Sequence, residues 1–337
     1  MPSTEYFSKE VFSKDLRTYK IVEPGMFAYN PSRINVGSVN YWNGSGAVVV
    51  SPLYVVVKID ESKIRQDYLN FFLHSSEALN QIHNLTEGTV RDSLKFSAFV
   101  KVQISLPALP EQKRIAEELD RICELKKNAE ERLALMDQLV KSRFVEMFGE
   151  CDDLVRLDQV GQIYTGSTPP MKVPEYYDSN DIPFVKPSDL SFEISQVVTS
   201  ECFVSKKAEP VVRMFDPGAV LVTCIGATIG KMGVARVRGT CNQQINFVVP
   251  SSNIEPEFLA LALQSKKDEL VRSANSTAVP ILNKSQFSKI QLPLPPIGEQ
   301  RKFAAFVAEV DKSKSILRET VAKMETLYKA KLQEYFG

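Results

Sequence analysis

Two stretches of the chain place apolar residues at alternating steps of four and three positions. The first stretch runs from Ile115 to Met147, and the second runs from Phe303 to Tyr335. This spacing keeps the apolar side chains on one stripe of an α-helix, as in a coiled coil. The stripe, which we call the seam, contains Ile115, Leu119, Ile122, Leu133, Met136 and Val140 in the first stretch and Phe303, Val307, Val310, Leu317, Val321 and Met324 in the second.

The two seams also match in their exceptions. Lys126 and Arg143 interrupt the first seam at the positions where Lys314 and Lys331 interrupt the second. Because the polar interruptions fall in register as well as the apolar residues, we interpret the two stretches as copies of one duplicated segment.

Each copy carries signals for the start and the end of a helix. Pro110 and Pro296 stand where proline is tolerated at a helix N-terminus, and Gly149 and Gly337 are suited to end a helix. A helix of about 38 residues would be roughly 57 Å long. Such a helix cannot bury a narrow apolar stripe alone, so we expect the two copies to pair. The alternative is one core helix in each of two domains, although ordinary helices average about 11 to 12 residues.

The remaining segments contain short runs of Val, Ile, Phe and Tyr separated by Gly, Pro, Asn and Ser, which is typical of mixed α+β domains. We therefore predict four segments: a globular domain at 1–105, a helix at 106–149, a second globular domain at 150–293 and a helix at 294–337. Pro24 aligns with Pro217, but far fewer residues precede it. The first domain is therefore expected to be shortened at its N-terminus.

The composition fits an ordinary globular protein of about two domains, with 337 residues, 44% hydrophobic and 24% charged. The formal net charge is zero, so a generally basic nucleic-acid-binding surface is not expected. The five cysteines form no C-x-x-C pair, which favours reduced thiols over disulfides or a zinc site. No signal peptide or membrane-spanning run is evident, so we expect a cytoplasmic protein without membrane contact.

Patterns for catalysis are missing. The segment Gly226–Lys231 is not a nucleotide-binding P-loop, because three residues separate its glycines and Met232 follows the lysine. A methyltransferase would need a cofactor-binding glycine loop and an Asp/Asn-Pro-Pro-aromatic tetrapeptide, and neither is found. A nuclease motif around Asp189 and Glu193 would have Ser195 in place of its lysine. We therefore expect no catalytic residue, no cofactor and no bound metal.

The order of domain, helix, domain and helix resembles the specificity (S) subunit of Type I restriction-modification systems. The resemblance rests on Leu109-Pro110-Glu111-Gln112 and Ile297-Gly298-Glu299-Gln300, on Gly166-Ser167-Thr168-Pro169, on Ile182-Pro183-Phe184-Val185 and Ser188-Asp189-Leu190, and on the glycine segment followed by Asn242-Gln243-Gln244. It implies an α+β fold, with two mixed α/β target-recognition domains separated by two long antiparallel coiled-coil helices.

The same resemblance implies a function and partners. Each recognition domain would read one half of a split, asymmetric sequence in double-stranded DNA, and the helices would serve as the spacer between them. The chain itself would catalyse nothing. It would dock methyltransferase subunits and, through them, restriction subunits.

Several side chains have the chemistry to contact DNA, because Asn and Arg can pair with base edges and cations can neutralise phosphates. The candidates are Asn30, Arg33, Asn35, Ser38 and Arg91 in the first domain and Gly166, Ser167, Thr168, Lys186, Thr228, Lys231, Arg236, Asn242 and Gln243 in the second. Structural roles stay open for them. Asn-Pro-Ser is also a turn signature, and the glycine segment also fits a tight turn with solvated charges.

Two other functions fit the sequence. The balanced charge of the chain fits a coiled-coil scaffold whose globular heads bind other proteins. A half-specificity subunit that self-associates would instead replace what the shortened first domain lacks. If the chain does read DNA, the balanced charge predicts weak binding without partner subunits.

Overall fold

The computed structural model of the protein describes residues 16–86, 93–151, 153–275 and 279–337. It forms two compact units. The first unit comprises residues 1–133 and 316–337, and the second comprises residues 134–315. We call residues 16–105 of the first unit the first head and residues 153–293 of the second unit the second head.

The helices and strands are numbered in chain order. The helices are α1 (Gln66–Leu73), α2 (Ser76–Thr86), α3 (Phe96–Phe99), α4 (Leu109–Phe148), α5 (Leu157–Val160), α6 (Pro256–Ser265), α7 (Lys267–Arg272), α8 (Lys284–Phe287) and α9 (Ile297–Phe336). The strands of the first head are β1 (Lys20–Val22), β2 (Phe27–Tyr29), β3 (Val39–Tyr41), β4 (Val48–Val50) and β5 (Val55–Val57). Those of the second head are β6 (Leu154–Arg156), β7 (Gly161–Thr165), β8 (Ile182–Val185), β9 (Ile194–Val197), β10 (Phe203–Val204), β11 (Met214–Phe215), β12 (Val220–Thr223), β13 (Met232–Ala235), β14 (Gly239–Cys241), β15 (Ile245–Pro250) and β16 (Gln291–Pro293).

The first head is a small antiparallel sheet covered by helices. Its three-stranded sheet has the order β3-β2-β5, and β1 pairs separately with β4. Phe27 and Tyr29 of β2 are fully buried and pack with Ile34, with Leu73 of α1 and with Ile82 of α2. The apolar side chains of β2 therefore anchor the sheet to the helices.

The second head has two larger sheets. One has five strands in the order β7-β15-β12-β13-β9, and the other has four in the order β10-β8-β14-β11. Most neighbouring strands are antiparallel, but β9 runs parallel to β13 and β8 runs parallel to β14. Strand β6 pairs with β16, which leads to α9.

The two heads share a scaffold. The order β3-β2-β5 in the first head corresponds to β13-β12-β15 in the second, with antiparallel pairing throughout. The loop after the central strand is fixed in the same way, since Leu94 donates its amide to Pro31 and Leu282 donates its amide to Cys224, both at 2.9 Å. A glycine in the left-handed region closes each loop, Gly37 at φ 81° and Gly230 at φ 88°.

The long helices match the sequence prediction closely. Helices α4 and α9 each have 40 residues and end one residue before Gly149 and Gly337. Every predicted seam residue is buried or half-buried. The three lysines that interrupt the seams, Lys126, Lys314 and Lys331, each form an ion pair with the opposite helix.

The helices pair antiparallel within each unit. In the first unit, Ile115 and Leu119 near the start of α4 pack with Tyr328 and Leu332 near the end of α9. In the second unit, Phe144 and Phe148 at the end of α4 contact the ring of Phe303 at the start of α9, at centroid distances of 5.7 and 5.5 Å. The start of one helix meets the end of the other in both units, so the predicted antiparallel coiled coil is confirmed, as is the α+β class.

Candidate nucleic-acid interface

Most of the predicted DNA-contacting residues of the second head lie at one edge of its five-stranded sheet. Strand β7 ends there at Thr165, opposite Asn246 near the start of β15, and β12 ends there at Thr223, opposite Ile245. Strand β13 starts at the same edge, because Met232 lies opposite Val222. The loops that leave these strands therefore meet at one edge, which we call the strand-end surface.

The segment Gly166–Thr168 crosses this surface against the residues that follow β14. The Ser167 amide donates to the Cys241 carbonyl oxygen at 2.8 Å, and the Thr168 hydroxyl lies 2.5 Å from the Gln243 side-chain oxygen. A side chain at Gly166 would collide with the carbonyl oxygens of Cys241 and Asn242, so glycine permits this close approach. The segment Gly166–Thr168 thus lies against Cys241, Asn242 and Gln243.

Lys186 reaches the same surface through the parallel pairing of β8 with β14. Cys241 lies opposite Val185, and the Asn242 amide donates to the Val185 carbonyl at 3.1 Å. The ammonium of Lys186 donates to the Cys202 sulfur at 3.0 Å, and this bond raises the pKa of the lysine. The lysine therefore stays cationic beside the Asn242 loop.

The glycine segment Gly226–Lys231 forms the turn between β12 and β13. The Thr228 hydroxyl donates to the Ile225 carbonyl at 3.0 Å, within the turn itself. Lys231 extends away from the turn, and its ammonium donates to the Pro187 carbonyl at 3.2 Å. Because Pro187 follows Lys186, the two lysines come from different loops and approach the same short segment.

Arg213 belongs to the strand-end surface and was missed by sequence reasoning. Its amide donates to the Ser167 hydroxyl at 2.9 Å, and its exposed guanidinium donates to the Thr165 carbonyl at 2.7 Å. No motif marks this residue in the sequence, because it directly precedes a strand of only two residues. Only the folded chain brings it beside the Gly166 segment.

Arg236 does not join the other candidates. It follows the last residue of β13, whereas Lys231 precedes the first, so the two lie at opposite ends of the strand. Its guanidinium forms an ion pair with Glu257 of α6 and donates to the Gln196 side chain at 2.7 Å. These contacts fasten α6 and β9 together on the far side from the strand-end surface.

In the first head, the candidates lie on the loop between β2 and β3, which corresponds to the glycine turn of the second head. The side-chain oxygen of Asn30 accepts from the Ser32 amide at 3.0 Å, and the main-chain amide of Asn30 donates to the Ser38 carbonyl at 3.0 Å. Asn30 and Ser38 therefore shape the loop. Arg33 and Asn35 flank the buried Ile34 and are exposed, which leaves their side chains accessible. Arg91 lies outside the described residues.

Neither a metal centre nor a membrane span is found within the described ranges. His, Cys, Asp and Glu residues there do not form a group of three that could hold a metal ion. No helix in that part of the chain is long and apolar enough to cross a bilayer. What the strand-end surface offers is a set of amides, hydroxyls and cations.

Comparison with known sequences yields one consistent family. A model of the Type I restriction modification DNA specificity domain matches residues 19–135 and 153–325. The specificity subunit of the Type I restriction enzyme MjaIX of Methanocaldococcus jannaschii is 28% identical over 186 residues, which are 51% of this chain and 43% of that protein. The chain thus matches less than half the length of this curated relative.

Solved structures agree at the level of fold. A chain from work on complex assembly and conformational transition of the type I R-M system has a TM-score of 0.61 and 20% identity, over 94% of this chain and 82% of that one. The S subunit of a Type-I restriction-modification system from M. genitalium has a TM-score of 0.58 and 14% identity, over 94% of this chain and 84% of that one. At these identities the similarity is one of architecture.

Proposed function

Because the chain belongs to the family of Type I restriction-modification DNA specificity domains, which matches both halves of it, we propose that it selects the DNA sequence on which a Type I restriction-modification complex acts. Each head reads one half of a bipartite, asymmetric target. The antiparallel helices set the gap between the two halves. The chain supplies no catalytic group, and methyltransferase and restriction subunits carry out the chemistry.

The observation that carries this proposal is the duplicated scaffold with two different loops. The same three-stranded core presents residues 30–38 in the first head and residues 224–231 in the second. A shared scaffold places each loop in the same way relative to its own sheet, while the loop sequences differ. This arrangement suits a protein that reads two different half-sites by one geometry.

The roles of the individual residues follow from their chemistry. In the second head, Lys186, Lys231 and Arg213 would neutralise phosphates, because cations supply the sequence-independent part of DNA affinity. Asn242, Gln243 and Thr168 would reach base edges, where amides and hydroxyls discriminate between base pairs. Gly166, Ser167 and Thr228 would shape the surface.

In the first head, Arg33 and Asn35 would contact bases, and Asn30 and Ser38 would hold the loop that carries them. Arg91 remains a predicted phosphate contact. For Arg236 we propose a structural role, because its ion pair with Glu257 already uses its charge. Under this proposal, residues 1–105 and 150–293 are the target-recognition domains, and residues 106–149 and 294–337 are the spacer helices.

The balanced charge of the chain supports a division of labour with its partners. With 41 basic and 41 acidic residues, the protein has no excess charge with which to hold a polyanion tightly. We propose that the methyltransferase subunits clamp the duplex and that this chain supplies the sequence choice. It would act in the cytoplasm, where the DNA that it reads lies.

The decisive experiment co-expresses the full chain with a Type I methyltransferase subunit from the same genome and maps methylated bases across the host DNA. We expect one bipartite motif whose two halves differ. Replacing Asn242 and Gln243 together by alanine should change or abolish the requirement in one half and leave the other half intact. Complete absence of a methylated motif, although the two proteins purify together, would instead favour a scaffold.

A further inference from the structure

Two glutamines in the first turns of the long helices are fully buried. Gln112 of α4 and Gln300 of α9 each expose 0% of their surface, although the cations that follow them, Lys113 and Arg301, are exposed. They occupy the same position in the duplicated segment. A buried carboxamide must satisfy its donors and its acceptor within the protein, so its partners show what it joins.

Gln112 joins three parts of the first unit. Its side-chain oxygen accepts from the Arg65 amide at 2.9 Å, and Arg65 is the residue that caps the N-terminus of α1. Its side-chain nitrogen donates to the Lys63 carbonyl at 2.9 Å and to the Pro107 carbonyl at 2.8 Å. The loop before α1, the loop before α4 and the first turn of α4 are thus held by one side chain.

Gln300 makes the same three bonds in the second unit. Its oxygen accepts from the amide of Glu255, the residue that caps α6, at 3.0 Å. Its nitrogen donates to the Asn253 carbonyl at 3.2 Å and to the Pro295 carbonyl at 2.8 Å. Pro295 occupies the position that Pro107 has in the first copy.

All six bonds go to main-chain atoms, which explains how the arrangement persists in both copies. The capping residues have opposite charges, Arg65 in one head and Glu255 in the other, yet each offers the same amide. By contrast, the neighbouring Glu111 and Glu299 form ion pairs within their own helices, with Arg114 at 2.7 Å and with Lys302 at 2.8 Å. In both copies, the buried carboxamide instead connects the start of the long helix to a loop outside that helix.

We propose that Gln112 and Gln300 are positioning residues that fix the direction in which each long helix leaves its own head. A helix held to its head at one point can pivot, whereas one side chain bonded to two separate loops removes that freedom. This inference rests on the proposed function, because the direction of the helices then sets the gap, in base pairs, that the protein accepts between half-sites.

The experiment uses the full chain with its methyltransferase subunit and three duplexes that carry the motif with its natural gap or with one base pair more or less. One base pair rotates the half-sites by about a tenth of a turn and moves them about 3.4 Å, so a rigid reader discriminates strongly. We expect Gln112→Met and Gln300→Met to lower the preference for the natural gap by roughly tenfold. An unchanged preference would overturn the inference.

Loss of folded protein alone lowers methylation of all three duplexes equally, so a uniform decrease also counts against the positioning role. The matched controls are Gln138→Met and Gln333→Met, which alter exposed glutamines on the same two helices and should leave the preference unchanged. If a methionine variant does not fold, Gln→Glu replaces it, since glutamate has nearly the same shape and lacks both donors.

Hydrogen exchange separates this inference from the proposed function. In Gln112→Met the amides of residues 63–68 and 109–113 should exchange faster, while the equivalent amides of the second head stay protected; Gln300→Met should give the reverse. Unchanged exchange in both variants would refute the inference whether or not the protein reads DNA. Changed exchange in a protein that directs no methylation would refute only the proposed function.

Discussion

Two ion pairs between the long helices occupy equivalent positions of the duplicated segment but differ in burial. In the first unit, Lys126 lies 3.8 Å from Glu325, and their side chains are 35% and 48% exposed. In the second unit, Lys314 pairs with Asp137, and their side chains are only 10% and 20% exposed. The sequence pattern is the same, so the difference comes from what surrounds each pair.

The second head supplies those surroundings. Side chains of α6, β9 and both helices line a small cavity around Lys314, among them Leu261, Gln196 and Val307. A second position shows the same trend. Glu118 of the first copy accepts a hydrogen bond from Tyr335, whereas its counterpart Phe306 packs against the apolar core of the second unit. At these two pairs of equivalent positions, the contacts are more exposed and polar in the first unit and more buried in the second.

The largest expected effect of this difference is on stability. Asp137→Ala leaves the Lys314 ammonium buried without its partner, which typically costs about 3–5 kcal/mol. The equivalent change Glu325→Ala removes an exposed pair and should cost less than about 1 kcal/mol. Urea unfolding of both variants measures the two losses. Equal losses would mean that burial does not distinguish the pairs.

A double substitution sharpens the same comparison. Asp137→Leu combined with Lys314→Leu removes both charges and fills the site with apolar groups, so we expect stability within about 1 kcal/mol of the natural protein, or above it. Lys314→Leu alone should be clearly worse, because it leaves a carboxylate poorly solvated. If the double variant were as unstable as the single variants, the ion pair itself would stabilise the folded protein, beyond the avoided cost of one unpaired buried charge.

A smaller effect distinguishes the two heads on DNA. Lys186→Ala should weaken binding of all sequences roughly fivefold and reduce the salt slope by about one, as expected for a lost phosphate contact. Arg33→Ala should instead relax sequence preference in one half-site. Binding of the assembled complex to matched and mismatched duplexes at several salt concentrations measures both. The control is Lys207→Ala, whose ammonium pairs with Asp178 at 3.2 Å on the second head.

The smallest effect is a pH dependence of the first unit. The Tyr335 hydroxyl, followed by Lys331, lowers the pKa of Glu118 below its ordinary value of 4.5. Because the folded pKa is depressed, this stabilisation is present above the unfolded pKa and is lost as the pH falls through the lower folded pKa. When the pH is lowered from 5 to below about 4, we expect the free energy of unfolding to fall less in Glu118→Gln than in the natural protein.

Glu117→Gln is the matched control for that measurement, since Glu117 pairs within its own helix with Lys113 at 3.6 Å. Unfolding midpoints at several pH values compare the three proteins. Identical acid sensitivity of the natural protein and Glu118→Gln would exclude a contribution of the contact between Glu118 and Tyr335.

Sequence reasoning succeeded where the signal lies in consecutive residues. The four-three periodicity predicted both long helices, their ends at Gly149 and Gly337, and the side that each buries. The resemblance to a family added the antiparallel direction, which the apolar pattern alone does not specify. Strands of two to six residues gave weaker signals, because such short runs fix neither their partners nor their order in a sheet.

For the candidate interface, the sequence indicated useful residue types but not their placement. It named Lys186, Lys231 and Asn242 without showing that parallel and antiparallel pairing would bring them to one edge. It also grouped Arg236 with them and overlooked Arg213. The reason is that a strand of four residues has two ends that point to opposite edges, and only the pairing shows which end meets which loop.

By itself, the order of residues determined two amphipathic helices, their duplication and a supply of polar groups suited to nucleic acid, because residue types and their spacing show each of these without knowledge of which segments are in contact. The tertiary structure alone decided that Lys314 is buried while Lys126 is half-buried. It also decided that Gln112 and Gln300 each tie two loops to a helix. Burial and convergence depend on groups far apart along the chain, and no local pattern contains that information.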